Sequence, residues 1–278
     1  MFKGRYPANR EPARMILYSG LGRMGLPMAC HARDAGHAVI GFDPSAERRS
    51  LFVAKGGQVV TDPSGAYPQA EAVVIMVGSE RQAEEIITGE GGIVACCRPG
   101  TLVLVISTVA PEFVARMGAV ALAAGIRVVD APVCRAEMGA IAGTLLAFLS
   151  GPDADCHDAA ALMKPYVADV EIVGTRLGAA QIAKTVNNMI LWACAMANEE
   201  GLRLAAAWDL DLASLRRALV TSSANNWALQ HWDRAGEMPW SIKDMEIALK
   251  SAMGAGVSVP LSEAVNELVR RSQVLRHA

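Results

Sequence analysis

Met15-Ile16-Leu17-Tyr18-Ser19, then Gly20-Leu21-Gly22-Arg23-Met24-Gly25, then the helix-forming run Pro27–Ala35, place a G-x-G-x-x-G turn between a strand and a helix. In that setting the first glycine permits the tight turn, the second lets backbone approach a pyrophosphate, and the third lets helix pack on strand. The phosphates then rest on unpaired amides at the helix N-terminus. Taken alone, the motif is also compatible with a glycine turn in an α/β protein that binds no cofactor.

Asp43 closes the next apolar run, Val39-Ile40-Gly41-Phe42-Asp43, eighteen residues after Gly25. This is close to the roughly 20-residue offset at which an acidic group meets the adenosine ribose. A carboxylate there accepts from both ribose hydroxyls and repels a 2′-phosphate, so NAD is expected ahead of NADP. Arg48 and Arg49 argue the other way if they reach a 2′-phosphate; otherwise they are a solvated helix face.

Outward from this unit, short β-branched runs recur at Met15–Ser19, Ala38–Asp43, Gln58–Val60, Ala72–Val77, Thr101–Ile106, Arg127–Val129 and Leu145–Ser150. Segments with helical apolar spacing, such as Pro111–Ala124, lie between most of them. Continuous apolar strands separated by helices predict a parallel sheet covered on both faces, an α/β domain of the Rossmann type. After Gly174 and Gly178 strand signals cease, and helical runs at Gln181–Trp208, Leu212–Thr221, Ser241–Ala255 and Leu261–Arg271 predict an all-α second domain. The expected division is a loose tail at 1–13, a dinucleotide-binding domain at 14–176 and a helical domain at 177–278, packed with a cleft between the domains.

Composition narrows the function. The 278 residues carry 26 basic and 28 acidic side chains, 52% hydrophobic residues and 19% charged ones. That is a globular rather than a disordered chain, with no basic field for nucleic acid or anionic membrane. Six scattered cysteines without a CxxC pair suit a reducing compartment. The first thirteen residues lack the apolar core of a signal peptide, and no later run is long enough for a membrane helix, so a cytoplasmic protein is expected. The five histidines form neither HxH nor HExxH, and no metal is expected.

A second signal is Gly178-Ala179-Ala180-Gln181-Ile182-Ala183-Lys184-Thr185-Val186-Asn187-Asn188. Lys184 and Asn188 stand four apart and share a helical face. An ammonium among apolar neighbours such as Ile182, Val186, Met189, Ile190 and Ala193 loses hydration and exchanges a proton more readily near neutral pH. Lys184 is thus a candidate general acid/base, with Asn188 anchoring the same substrate. The bland alternative is a lysine snorkelling to water beside a helix-packing asparagine. The polar and aromatic stretch Thr221–Trp227, followed by His231-Trp232, either closes a substrate pocket or packs a seam.

Together these residues resemble the β-hydroxyacid dehydrogenase family. The likeness runs through Gly20–Gly25 with Leu26-Pro27-Met28-Ala29, Ser107-Thr108-Val109-Ala110-Pro111, Asp130-Ala131-Pro132-Val133, Gly139-Ala140, Gly143-Thr144-Leu145, Gly178 to Asn188, and Lys243-Asp244-Met245. It covers nearly the whole chain after the tail. The resemblance implies an active site between a dinucleotide fold and a helical domain used in self-association, as a homodimer or homotetramer. It makes Lys184 the catalytic lysine and Asn188 a substrate ligand, sets Thr108 near the nicotinamide, and brings Val77, Gly78 and Lys243 to the cofactor beside Gly20, Leu21, Gly22, Arg23, Met24, Gly25 and Asp43. Read locally, Ser241-Ile242-Lys243-Asp244 is also a helix start, with Ser241 as cap and Asp244 three residues on.

One departure stands out. Where the family continues Asp-Ala-Pro-Val with Ser-Gly-Gly, which grips the substrate carboxylate, this chain has Cys134-Arg135-Ala136. A thiol is a weak donor and two Cβ atoms narrow the loop, while the planar Arg135 fork suits a carboxylate. Either Arg135 takes over anion recognition or it points to solvent and the loop has changed shape. Cys134 reads better as a small wall residue than as a nucleophile, since hydride transfer requires no covalent intermediate. The expected activity is hydride transfer between a nicotinamide cofactor and a small β-hydroxy acid or its semialdehyde. The alternatives are an imine reductase-like enzyme and a catalytically silent dinucleotide-binding regulator.

Overall fold

The computed structural model describes residues 13–237 and 239–272; the tail expected at 1–13 falls almost wholly outside them. Nine strands form one sheet: β1 Met15–Ser19, β2 Ala38–Phe42, β3 Gln58–Val60, β4 Ala72–Ile75, β5 Leu102–Val105, β6 Arg127–Asp130, β7 Val133–Cys134, β8 Leu145–Ser150 and β9 Val167–Gly174. The helices are α1 Gly25–Asp34, α2 Ala46–Ala54, α3 Glu80–Thr88, α4 Ile93–Cys96, α5 Pro111–Ala123, α6 Ala136–Ala142, α7 Asp153–Met163, α8 Ala179–Ala207, α9 Leu212–Val220, α10 Trp227–Gln230, α11 Ser241–Ala255 and α12 Pro260–Arg271.

From β3 through β2, β1, β4 and β5 to β6 the strands are parallel, in the order of a doubly wound dinucleotide fold. In register, Leu17 lies beside Ile40 on one side and Val73 on the other. The interior strands β4 and β5 are buried at every residue, as strands covered on both faces must be. Beyond β6 the sheet turns antiparallel at β8, which pairs β7 antiparallel and β9 parallel. The sequence runs anticipate seven of these strands. Of the other two, β7 is buried but, at two residues, too short to show a period, and β9 carries Asp169 and Glu171 among mostly exposed positions.

The chain divides into two compact units: one of residues up to Ser107 with Glu112–Ala180, the other of Thr108–Pro111 with the chain from Gln181 onward. The first holds the sheet and its helices. Among the described residues of the second from Gln181 onward the regular elements are all helices, with Trp192, Ala195, Met245, Ala248, Val265 and Val269 buried in it. No helix among the described residues is long and apolar enough to cross a membrane.

Candidate functional site

The glycine turn is dictated by its own backbone. Gly20 sits at φ +106°, and a Cβ there would lie 2.0 Å from the Met76 carbonyl oxygen. A Cβ on Gly25 would lie 2.0 Å from the Gly20 carbonyl oxygen, whereas one on Gly22 would meet nothing within 4 Å. The outer glycines are therefore required by packing, and the middle one leaves open space at the start of α1, where amides lack helical partners. That space fits the pyrophosphate of a dinucleotide. Leu21 and Met24 are buried beneath the turn, and Arg23 donates through Nε to Glu137 Oε2 at 2.6 Å.

Asp43 follows β2, its carboxylate fixed by two amides: Leu21 N–H donates to Oδ2 and Ser45 N–H to Oδ1, each at 2.9 Å. The acid is thus held against the glycine turn. Arg49 donates to the carbonyl oxygens of Asp43 at 2.5 Å and Pro44 at 3.0 Å, so its guanidinium braces that corner. At the end of β4, Val77 N–H donates to Ser107 Oγ at 2.7 Å, and Gly78 N–H to Gln82 Oε1 at 3.0 Å. Ser107 stands in one of the motifs of the resemblance, but its role as acceptor of a backbone amide has no local signature.

The departing loop keeps a backbone that glycine would favour. Arg135 has φ +83° and Ala136 φ +52°, left-handed conformations that cost an L-residue about 1–2 kcal/mol. Side chains hold it there. Arg135 Nη1 donates to the Thr144 carbonyl oxygen at 2.7 Å, and Nη2 pairs with Asp169 at 2.6 Å. Gly139 makes room, since a Cβ on it would come within 2.8 Å of Arg135 Cβ. Cys134 is buried in β7.

Asp130, fully buried at the end of β6, accepts from Gly178 N–H at 3.1 Å and from the Ser150 hydroxyl at 3.3 Å. Ser150 Oγ in turn accepts from Ala180 N–H at 3.0 Å. Two amides at the start of α8 are satisfied in this way, and a carboxylate there complements the positive end of the helix dipole.

Within the helical unit, Lys184 is half-buried and Asn188 buried. The apolar surroundings expected for Lys184 need correction: Ile182, Val186 and Ile190 are 40%, 49% and 61% exposed and cannot wall it off. Its charge acts instead on a carboxyl of another helix, Asp244. Burial pushes the Asp244 carboxyl above its usual range, against the opposing pull of the Lys184 and Lys243 charges and a hydrogen bond from Trp192 Nε1 at 3.2 Å. Read locally in the sequence, Asp244 is the third position of a capping box. No such box forms: Trp240, not Ser241, occupies the cap position, no side-chain cap hydrogen bond is made there, and the Asp244 carboxylate accepts from Trp192. Lys243 Nζ donates to the Thr108 carbonyl oxygen at 2.9 Å, and Val109 N–H donates to Gln181 Oε1 at 3.2 Å. A half-buried amine on one helical face with a buried carboxamide, its charge acting on a buried carboxylate, can give, take and steer a proton.

The stretch 221–227 is tied elsewhere. Asn226 and Asn198 exchange two amide hydrogen bonds of 3.0 and 3.1 Å, and Asn198 lies fourteen residues along α8 from Lys184, about 21 Å at the helical rise. Within the helical unit this segment stands away from the lysine. None of the six cysteines forms a disulfide, and the described residues contain no group of three or more His, Cys, Asp or Glu side chains placed to hold a metal ion.

Residues 15–174 match the family model described as the NAD binding domain of 6-phosphogluconate dehydrogenase, and residues 178–277 the one described as the NAD-binding domain of NADP-dependent 3-hydroxyisobutyrate dehydrogenase. The 3-hydroxyisobutyrate dehydrogenase of Pseudomonas aeruginosa is 31% identical over 269 residues, covering 91% of this chain and 90% of that protein. The chain belongs to the β-hydroxyacid dehydrogenase family. As a member it is an NAD(P)-dependent oxidoreductase acting on CH–OH groups. The NAD-dependent L-serine dehydrogenase of P. aeruginosa is 29% identical over 279 residues, covering 92% and 91% of the two chains. Among solved structures, the 3-hydroxyisobutyrate dehydrogenase of Mycobacterium tuberculosis with L-serine superposes with TM-score 0.81 at 27% identity, covering 93% of each chain. An imine reductase from a Pseudomonas species shares the fold, with TM-score 0.67 at 17% identity and 94% of each chain covered.

Proposed function

We propose that this enzyme transfers a hydride between NAD and a small β-hydroxy acid or its semialdehyde, with Lys184 as general acid/base. The observation that carries the reading is the half-buried Lys184 standing four residues from the buried Asn188 on one face of α8, its charge acting on the buried Asp244 carboxyl. The bound nicotinamide supplies the hydride acceptor or donor. Lys184 takes the hydroxyl proton during oxidation and returns one to the carbonyl oxygen during reduction. Asn188 holds the substrate, and Asp244 keeps a counter-charge beside the amine as its proton comes and goes.

In this reading Gly20, Leu21, Gly22, Arg23, Met24 and Gly25 cradle the dinucleotide, joined by Val77, Gly78, Thr108 and Lys243. Asp43 selects NAD over NADP, which agrees with Arg49 bracing backbone carbonyls. The acid meets the Cys134–Ala136 loop. Arg135 reaches it by exchanging Asp169, a half-exposed partner in an ion pair of a kind worth only about 0–1 kcal/mol. The helical unit serves self-association, and the protein works in the cytoplasm.

Nicotinamide absorbance with a panel of β-hydroxy acids and semialdehydes tests the reading. Lys184→Ala is expected to lower kcat by about 10²–10⁴-fold while leaving dinucleotide binding intact; undiminished turnover contradicts it. Cofactor binding without turnover on any panel member would contradict the proposed substrate class. Arg135→Ala is expected to raise KM for the acid, and unchanged KM across the panel removes Arg135 from the site.

A further inference from the structure

We propose that Gln181 is a positioning residue for hydride transfer: its buried carboxamide fixes the Thr108–Val109 backbone to the helix that carries Lys184. The inference rests on the reading of Lys184 and Thr108 given above. Gln181 is fully buried, and its Oε1 accepts from Val109 N–H at 3.2 Å. It lies three residues before Lys184 on α8, a spacing that sets both side chains on one helical face. The same short segment is held from α11, because Lys243 Nζ donates to the Thr108 carbonyl oxygen at 2.9 Å.

Thr108 and Val109 are thus pinned at adjacent groups, one carbonyl and one amide, by two helices of the same unit. The segment belongs to no strand and is followed by Pro111, the first residue of α5. Without the carboxamide, the Val109 amide would be buried and unpaired, an arrangement that costs about 1–3 kcal/mol and that a small backbone shift relieves. Such a shift would move Thr108 away from the place set for it relative to Lys184. Misplacement by about 1 Å is enough to cost on the order of a hundredfold in rate. A residue acting in this way controls the chemical step and leaves the affinity for either ligand nearly untouched.

Gln181→Met keeps the length of the side chain and removes the acceptor. Its kcat is expected to fall by about tenfold to a hundredfold, with KM for dinucleotide and acid within about twofold of the parent. A larger primary isotope effect from substrate deuterated at the transferred hydrogen should accompany the fall. Amide exchange gives a readout independent of activity: the Val109 amide loses protection while the amides of α8 keep theirs. Gln181→Asn retains the carboxamide on a stem one methylene shorter, serves if the methionine variant does not fold, and is expected to shift kcat in the same direction.

A variant that merely unfolds at lower temperature, with parental kcat and isotope effect, overturns the proposal. So does retained protection at Val109. Loss of the underlying reading shows differently, as undiminished turnover in Lys184→Ala; failure of the present inference alone shows as a Gln181→Met enzyme at parental kcat beside a Lys184→Ala enzyme that has lost turnover.

Discussion

The turn at Gly20–Gly25 and the loop at Cys134–Ala136 both use left-handed backbone, and they secure it in opposite ways. At Gly20 the conformation comes with a carbonyl oxygen 2.0 Å from where a Cβ would stand, so glycine is the only residue that fits. At Arg135 and Ala136 the conformation persists in residues that pay a steric penalty for it. There the Thr144 carbonyl oxygen, Asp169 and the missing Cβ of Gly139 supply the compensation. A loop enforced by the exclusion of side chains announces itself in the sequence. One enforced by side chains that brace it does not.

The largest test of the contrast is Gly20→Ala. The added methyl must displace the chain just after β4 at Met76, and dinucleotide binding by titration is expected to vanish; an alanine variant that binds as the parent does would show that the turn has slack. Gly139→Ala comes next, expected to cost about 1–3 kcal/mol of stability in denaturant unfolding by pressing on Arg135 Cβ. That cost should shrink in an Arg135→Gly background, and equal costs in both would break the claim that Gly139 exists to admit the arginine. The smallest effect belongs to Ala136→Gly, where relief of the left-handed strain, partly offset by a freer unfolded chain, should stabilise by about 0.5–1 kcal/mol. A loss of stability there would mean that the alanine methyl packs better than its φ suggests.

The same contrast explains what the sequence could disclose. The parallel order of β1 to β6 follows from continuous apolar runs between helices, and the dinucleotide turn from glycine spacing and the position of Asp43. The change to an all-helical unit is marked by the loss of β-branched runs after Gly178. Buried polar pairings across long sequence separations escaped. Asp244 with Trp192, Asp130 with Gly178, and Gln181 with Val109 join residues 52, 48 and 72 apart, and no local periodicity encodes such partners. The surroundings of Lys184 were misjudged for a related reason. Helical spacing places Ile182, Val186 and Ile190 near it in sequence, but cannot tell which face the unit turns inward, and Asp244 comes from a different helix. Arg135 is half legible: the missing glycines identify the loop as altered, but only the structure shows Asp169 on its guanidinium.

The central claim is that the Lys184 amine exchanges the proton of the substrate hydroxyl. A crystal structure of the ternary complex with NAD and a turned-over β-hydroxy acid tests it most directly. The account predicts Lys184 Nζ about 2.6–3.2 Å from the substrate hydroxyl oxygen, with Asn188 on the same molecule. A hydroxyl whose hydrogen-bonding partner is another side chain, with Lys184 turned away to solvent, would contradict it.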